Sequence, residues 1–198
     1  LSVSCVYERN DVKIRELEGI SIYKGFFKSP LLKEKEQKTI AHIVENGITY
    51  NVDVENGQKT GFFLDQKFNR LAVGQIAKGK HVLDCFTHTG AFALNAAKGG
   101  AASVTAVDIS EEAVTMTQHN AVQNTCKIDV VKADVFDYLV TLDKTHNHFF
   151  DYIILDPPAF SKSRQTIHEA FRGYKEINYR AMKVLPRGGY LATCSCSH

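Results

Sequence analysis

The chain lacks a surplus of charge of either sign. Lys and Arg number 24 against 22 Asp and Glu, a net charge of +2 over 198 residues. So close a balance neither demands a polyanionic partner nor excludes one, because nucleic-acid binding needs a local patch rather than a net charge. Cysteine is sparse and odd in number (Cys5, Cys85, Cys126, Cys194 and Cys196), with spacings that match no zinc pattern. A disulfide scaffold does not fit a chain this long, and reduced cytoplasmic thiols are expected. No stretch reaches the ~18 apolar residues of a membrane span. The first residues lack the basic-then-apolar order of a signal peptide. His119, His146 and His148 do not cluster with acids at ligand spacing, so no metal site is expected. The chain runs from Leu1 to the stretch TCSCSH, and both ends are expected to be cuts through a longer protein.

What is present divides in two near residue 60. The first part reads as strands and turns: Ile40–Val44, a turn signal at Glu45-Asn46-Gly47, and period-two alternation over Ile48–Val54 predict a hairpin. A helix is expected from about Asp65 to Lys78. From Lys80 the rhythm is strand and helix in alternation. Strands are expected at His81–Cys85, Ser103–Asp108, Ile128–Val131, Asp151–Leu155 and Gly189–Cys194. Helices are expected at Ala91–Lys98, from Ser110 as cap to about Val122, at Val135–Leu142, and over roughly Gln165–Leu185. Five strands alternating with helices imply an α/β, Rossmann-like parallel sheet covered on both faces. Ligands of such sheets bind beyond the carboxyl ends of the strands. Asp84, Asp108, Asp134, Asp156 and Cys196 all fall at those ends.

The loops carry the chemistry. The first, DCFTHTGAFAL, holds Asp84, His88, Thr89 and Gly90. It lacks the several glycines by which a dinucleotide pyrophosphate meets a helix N-terminus, and an acid there would repel phosphate. A cationic, phosphate-free cofactor such as S-adenosylmethionine suits it better; a generic strand-to-helix turn is the rival reading. Asp108 can accept from both hydroxyls of an adenosine ribose, or can cap the following helix, a place Ser110 contests. Asp134 can take the adenine amino group. The fourth loop, LDPPAFSKSR, is the most informative. Pro157 and Pro158 stiffen the backbone and aim its carbonyls in fixed directions, an edge of acceptors for a planar base. Asp156 adds a carboxylate beside it. Lys162 and Arg164 can meet phosphates, or form a solvated basic run.

At these residues the sequence resembles a class I S-adenosylmethionine-dependent methyltransferase. More closely, it resembles the 23S ribosomal RNA cytosine-C5 methyltransferases of the bacterial large-subunit methyltransferase I type. The resemblance covers almost the whole chain: YERNDVKIRELEG at 7–19, KTGFFLDQKFNR at 59–70, VLDCFTHTGAFAL at 82–94, VDISEEAV at 107–114, ADVFDYL at 133–139, LDPPAF at 155–160, FRGYKEIN at 171–178 and GGYLATCSCS at 188–197. It implies a small β-rich domain over residues 1–60 and a methyltransferase domain over 61–198. An N-terminal RNA-binding PUA domain and the last two strands of a seven-stranded sheet would lie outside the chain. It implies a cofactor set of Phe62, Asp65, Gln66, Arg70, Asp84, Thr89, Gly90, Asp108, Asp134 and Asp156, with His88 and Phe92 as weaker candidates. It implies large-subunit ribosomal RNA as partner, no membrane, and a homodimer.

Cytosine C5 is a poor nucleophile, so a thiolate must first add at C6. The resemblance makes that thiolate Cys196, in Ser195-Cys196-Ser197, past the end of the last strand; Thr193-Cys194-Ser195 imitates a related motif one turn of the pleat earlier, where Cys194 is expected to pack. Asp156 would hold the N3/N4 edge of the base as the second catalytic group, with Pro157, Pro158, Phe160, Lys162 and Arg164 on the substrate side. Relatives with a second cysteine after the proline of the fourth loop have no match here, since Ala159 stands there. Methylation of a base nitrogen, which needs no thiolate, is the alternative within enzymes. A non-catalytic RNA-binding protein keeping the fold is the alternative outside them, and a dehydrogenase is a distant fourth.

Overall fold

Tyr7–Asn10 (β1) and Tyr23–Phe26 (β2) pair antiparallel around one helical turn, Ile14–Leu17 (α1). The Tyr7 and Phe26 rings, opposite each other in the register, meet edge to face at 4.9 Å. Strands Ile40–Glu45 (β3) and Ile48–Asp53 (β4) form a second two-stranded sheet. Their connection is the two-residue turn Asn46-Gly47, with φ of 54° and 73°. Two left-handed residues match the twist of the flanking strands, and asparagine followed by glycine reaches that conformation at least cost. In β4 the side chains of Ile48, Tyr50 and Val52 are buried and those between them half-buried, the expected period of two. These statements rest on a computed structural model that describes residues 5–12, 14–29, 38–57, 60–145, 148–160 and 167–195.

The chain divides into two compact units: residues 1–44 with 50–65, and residues 45–49 with 66–198. In the first, Tyr50 and Phe62 pack ring to ring at 4.9 Å, and Arg9 donates to the carbonyls of Val54 and Gly57 at 3.2 and 3.0 Å. Phe62, expected beside a cofactor, is thus a core residue of this unit, 5% exposed. Asp65 is exposed in the 3-10 turn Leu64–Gln66.

The second unit holds helix Lys67–Ile76 (α2) and then the alternation expected from Lys80 onward. The elements are His81–Cys85 (β5), Ala91–Lys98 (α3), Ser103–Asp108 (β6), Glu111–Gln123 (α4), Asp129–Lys132 (β7), Val135–Lys144 (α5), Tyr152–Leu155 (β8), Ile167–Val184 (α6) and Tyr190–Thr193 (β9). The five strands form one parallel sheet in the order β7-β6-β5-β8-β9. One face packs Leu83, Cys85, Ile153 and Leu155 against Leu139 and Leu142 of α5 and Ile177, Ala181 and Val184 of α6. The other packs Val82, Ala106 and Ile154 against Val73 of α2 and Phe92, Ala93 and Ala96 of α3. Burial on both faces is why β8 reads as an unbroken apolar run. β9 departs from expectation. Leu191, Ala192 and Cys194 are only half-buried and Thr193 is exposed, because β9 is an edge strand of the described sheet.

The hairpin turn is fastened within the second unit by polar bonds. Arg70 donates from Nε and Nη2 to the two carboxylate oxygens of Glu45 at 2.7 and 2.9 Å. Asn46 Nδ2 donates to Asn95 Oδ1 and to the Lys67 carbonyl, each at 3.2 Å. Thr49 and Asn124 exchange two bonds at 2.9 and 2.6 Å. Arg70, expected among the cofactor residues, is 2% exposed and Glu45 7% exposed, so the guanidinium serves a buried two-bonded ion pair. Removing one partner of such a pair strands a charge and costs about 3–5 kcal/mol, whereas an apolar pair of similar volume is often neutral. Arg70→Met should therefore lower unfolding free energy by that amount in urea titration, and Glu45→Leu with Arg70→Met should recover most of it. A single variant within about 1 kcal/mol of wild type would contradict this account.

Candidate active site

The strand order reverses at β5, which is flanked by β6 on one side and β8 on the other. Connections leave β5 and β8 toward opposite faces, which opens a crevice at their carboxyl ends. Register fixes the depth of each acid there. Cys85 is level with Val107 and Leu155, so the next level holds Asp108 and Asp156. Lys132 pairs with Asp108, and the Ala133 N–H bonds the Asp108 carbonyl at 3.0 Å, which brings Asp134 to the same rim. Asp84 is different. It pairs with Ala106 and Ile154, two residues below that rim, and its side chain is fully buried.

The depth gives Asp84 a structural task. Helix α3 begins at Gly90, whose φ of 76° is left-handed and which has no side chain to cap the helix. The Asp84 Oδ2 accepts the Ala93 N–H at 3.0 Å, supplying the missing cap from the strand below. The same oxygen accepts from Thr87 Oγ1 at 2.6 Å. The other oxygen, Oδ1, is buried with no hydrogen-bond partner. Burial pushes the carboxyl up to about 7; the bonds from Thr87 and Ala93 oppose this, and the charges of Asp156 and Asp108 add to it.

Between Asp84 and α3 the backbone is strained. Phe86 and His88 have φ of 63° and 53° without being glycine, a conformation that costs of order 1 kcal/mol or more for each. Asp108 holds the loop there: its Oδ2 accepts the His88 N–H and its Oδ1 the Ser110 N–H, each at 3.0 Å. Ser110 caps α4 through the Ala113 N–H at 3.2 Å, so Asp108 is not the cap. Burial lowers the His88 imidazole, and Asp108 pulls the other way. Thr89 is buried and its carbonyl accepts from Asn120 at 2.9 Å. A Cβ at Gly90 would stand 2.7 Å from Thr117 Cγ2, so glycine is required both for φ and for space. Phe92 packs in the core.

Asp134 caps α5, its Oδ1 accepting the Asp137 N–H at 3.1 Å. Asp156 is half-buried and its Oδ1 accepts from Gln66 Nε2 at 3.4 Å. Pro157 is buried and Pro158 exposed. Phe160 belongs to an aromatic cluster, 4.7 Å from the Tyr174 ring and 6.0 Å from that of Phe136. A Cβ at Gly173 would lie 3.1 Å from the Phe160 ring, so two separate motifs, LDPPAF and FRGYKEIN, meet at that glycine. Cys85 is fully buried, and burial raises its thiol well above the usual range. Lys162, Arg164 and Cys196 lie outside the described residues.

The structure thus brings Asp108, Asp134 and Asp156 to one rim, with Gln66 beside Asp156, and puts Asp84 beneath them. A rim of carboxylates around an unpartnered buried oxygen fits a cationic cofactor without phosphate, as S-adenosylmethionine is, and opposes a pyrophosphate. Thr87 and Glu45 were not apparent as structural residues from sequence. Thr87 carried a weak signal in its position after an acid; Glu45 carried none beyond its place in a turn.

A family model described as S-adenosylmethionine-dependent methyltransferase matches residues 30–197. The chain is 43% identical over 195 residues to the ribosomal RNA large subunit methyltransferase I of Photobacterium profundum and 45% identical over 195 residues to that of Shewanella amazonensis. Each alignment covers 97% of this chain and 48% of the relative, so the chain spans about half the length of the curated relatives it matches. Among solved structures, SMU.776 complexed with SAH superposes with a TM-score of 0.66 at 32% identity, covering 82% of this chain and 44% of that one. The SAM-dependent methyltransferase from Agrobacterium tumefaciens gives 0.69 at 19% identity, covering 83% and 55%, a likeness of fold alone.

The Asp84 carboxyl sets a pH dependence. Its folded pKa of about 7 lies above the model value of 3.8, so between those values the folded state keeps a proton the unfolded state has lost. Stability from this group is complete below about pH 4 and is lost as pH rises to 7, a difference on the order of 4 kcal/mol. Asp84→Asn, which keeps an acceptor for Ala93, should flatten that fall. Urea unfolding at pH 5 and pH 7.5 measures it, and equal slopes for wild type and variant would overturn the assignment.

Proposed function

We propose that this chain, which belongs to the S-adenosylmethionine-dependent methyltransferase family, is the catalytic part of an enzyme that methylates C5 of a cytosine in 23S ribosomal RNA. The observation that carries the reading is the likeness at over 40% identity to ribosomal RNA large subunit methyltransferase I along 97% of the chain. That span includes the Asp-Pro-Pro loop and the Ser-Cys-Ser stretch.

The cofactor would lie along the rim, with Asp108 toward a ribose, Asp134 toward an adenine amino group, and the Thr89-Gly90 turn beside them. When bound, S-adenosylmethionine supplies an electrophilic methyl group. The chain's own residues must make the cytosine reactive. β9 runs parallel to β8, with Thr193 level with Leu155, and the Cys194 N–H bonds the Leu155 carbonyl at 2.8 Å. The chain therefore leaves the sheet beside the Asp156 loop, and Cys196 follows two residues after Cys194. A Cys196 thiolate adding at C6 places electron density on C5. Asp156 accepts from the N3/N4 edge and favours the N3-protonated adduct. After C5 is methylated, its proton leaves to a base and the thiolate is expelled as the C5–C6 double bond re-forms. Pro157 and Pro158 hold the Asp156 backbone rigid through these steps, while Lys162 and Arg164 are assigned to RNA phosphates. A paired target base would have to be flipped out of its stack.

The proposal extends to the cytoplasm, where the four described cysteines remain free thiols, and to a homodimer, which sedimentation would test. The decisive experiment uses the full-length protein and 23S ribosomal RNA carrying 5-fluorocytosine, which has no C5 proton to lose. A stable adduct through Cys196 is expected, and Cys196→Ala should abolish both adduct and methylation. Methylation surviving Cys196→Ala would instead point to a base nitrogen, and no methyl transfer by the intact protein would point to a non-catalytic RNA-binding role.

A further inference from the structure

We propose that Gln66 and Asn69 are positioning residues for Asp156, fixing the orientation of the carboxylate that holds the target base. The inference rests on the role given to Asp156 above. Gln66 occupies the position before α2, 8% exposed, and its side chain makes no capping bond to the helix. Helix starts are usually given to residues whose side chains do cap. Here a buried amide is turned to another use, with Nε2 toward Asp156 Oδ1 at 3.4 Å.

An amide has a donating end and an accepting end of nearly equal shape. Presenting Oε1 to Asp156 would set acceptor against acceptor. Asn69, one helical turn along, decides the matter by donating from Nδ2 to Gln66 Oε1 at 2.5 Å. That bond leaves Nε2 for the carboxylate. The Asp156 backbone is already stiff, since Pro157 and Pro158 follow it and its N–H lies 3.5 Å from the Cys85 carbonyl. The softest remaining freedom is rotation of the carboxylate plane, a broad torsion, and the Gln66 amide limits it. At 3.4 Å the bond is long, as catalytic hydrogen bonds often are before substrate binds. The titratable groups around Asp156 among the described residues are Asp84 on β5, whose charge interacts with it, Cys85 beside Asp84, and Cys194 after β9.

The test uses full-length protein, S-adenosylmethionine and unmodified 23S ribosomal RNA, with kcat, both KM values, the pH profile of kcat/KM and the urea midpoint measured for each variant. Gln66→Leu and Asn69→Asp, whose carboxylate cannot donate to Gln66, should each lower kcat about tenfold, the size of one lost bond to a charged group, with the KM for S-adenosylmethionine unchanged. The double variant should lose no more than Gln66→Leu alone. Gln66→Glu puts a second carboxylate against Asp156. Because a like charge raises the pKa of a group needed ionised, the acidic limb of the profile should move to higher pH. Asn69 is exposed, so its variants should keep the wild-type urea midpoint. Wild-type kcat and pH profile in Gln66→Glu and Asn69→Asp, additive losses, or a rise only in the KM for S-adenosylmethionine would each overturn the positioning role. Asp156→Ala separates the two claims. If it keeps the wild-type rate, the assignment of Asp156 itself fails; if it loses activity while the Gln66 and Asn69 variants behave as wild type, only the positioning inference falls.

Discussion

The Asp84 carboxylate does for helix α3 what Gly90, the residue at the helix start, cannot do for itself. Gly90 must be glycine to reach its left-handed φ and to clear Thr117, and so leaves the first turn without a side-chain acceptor. Asp84 reaches up from β5 to accept from Ala93, and accepts from Thr87 in the intervening loop. Strand, loop and helix are joined at one buried group. The position of the rim acids follows from that joint, because Asp108 grips the same loop at the His88 N–H.

The elements themselves were legible. Alternation over Ile48, Tyr50 and Val52, the Asn-Gly turn, the apolar run of Tyr152–Leu155 and Ser110 as cap are local signals, and the chain folds where they point. Depth and partnership were not legible. Asp84 and Asp108 both read as acids ending a strand, yet register sets one two residues below the other, and register is a property of pairs of strands. Arg70 in KTGFFLDQKFNR could be assigned only by resemblance. Its partner Glu45 is distant in sequence and reads as part of a turn, so nothing local joins them. The aromatic contact of Phe160 with Tyr174 likewise depends on the missing Cβ of Gly173, a fact about two segments at once.

The polar bonds in the second unit share one character: they fasten backbone rather than fill space. Asn46, Asn120 and Asn124 each bond a main-chain carbonyl, of Lys67, Thr89 and Thr49 respectively. Carbonyls of turns have no ladder partner and must find one. Asparagine is short enough to donate to them from an adjoining helix or turn without leaving its own amide oxygen stranded. The result is a set of loops whose geometry is imposed from outside rather than by their own composition.

Phe86 and His88 show what that imposition permits. Both hold a backbone shape that glycine adopts freely, and both carry side chains that glycine lacks. Loops of this kind usually trade side chains for bends. Here the bends are enforced by neighbours, so the chain keeps an aromatic ring and an imidazole at the mouth of its crevice. Any recognition scheme that looks for glycine spacing would pass over such a loop, although its curvature is the same commodity obtained by other means.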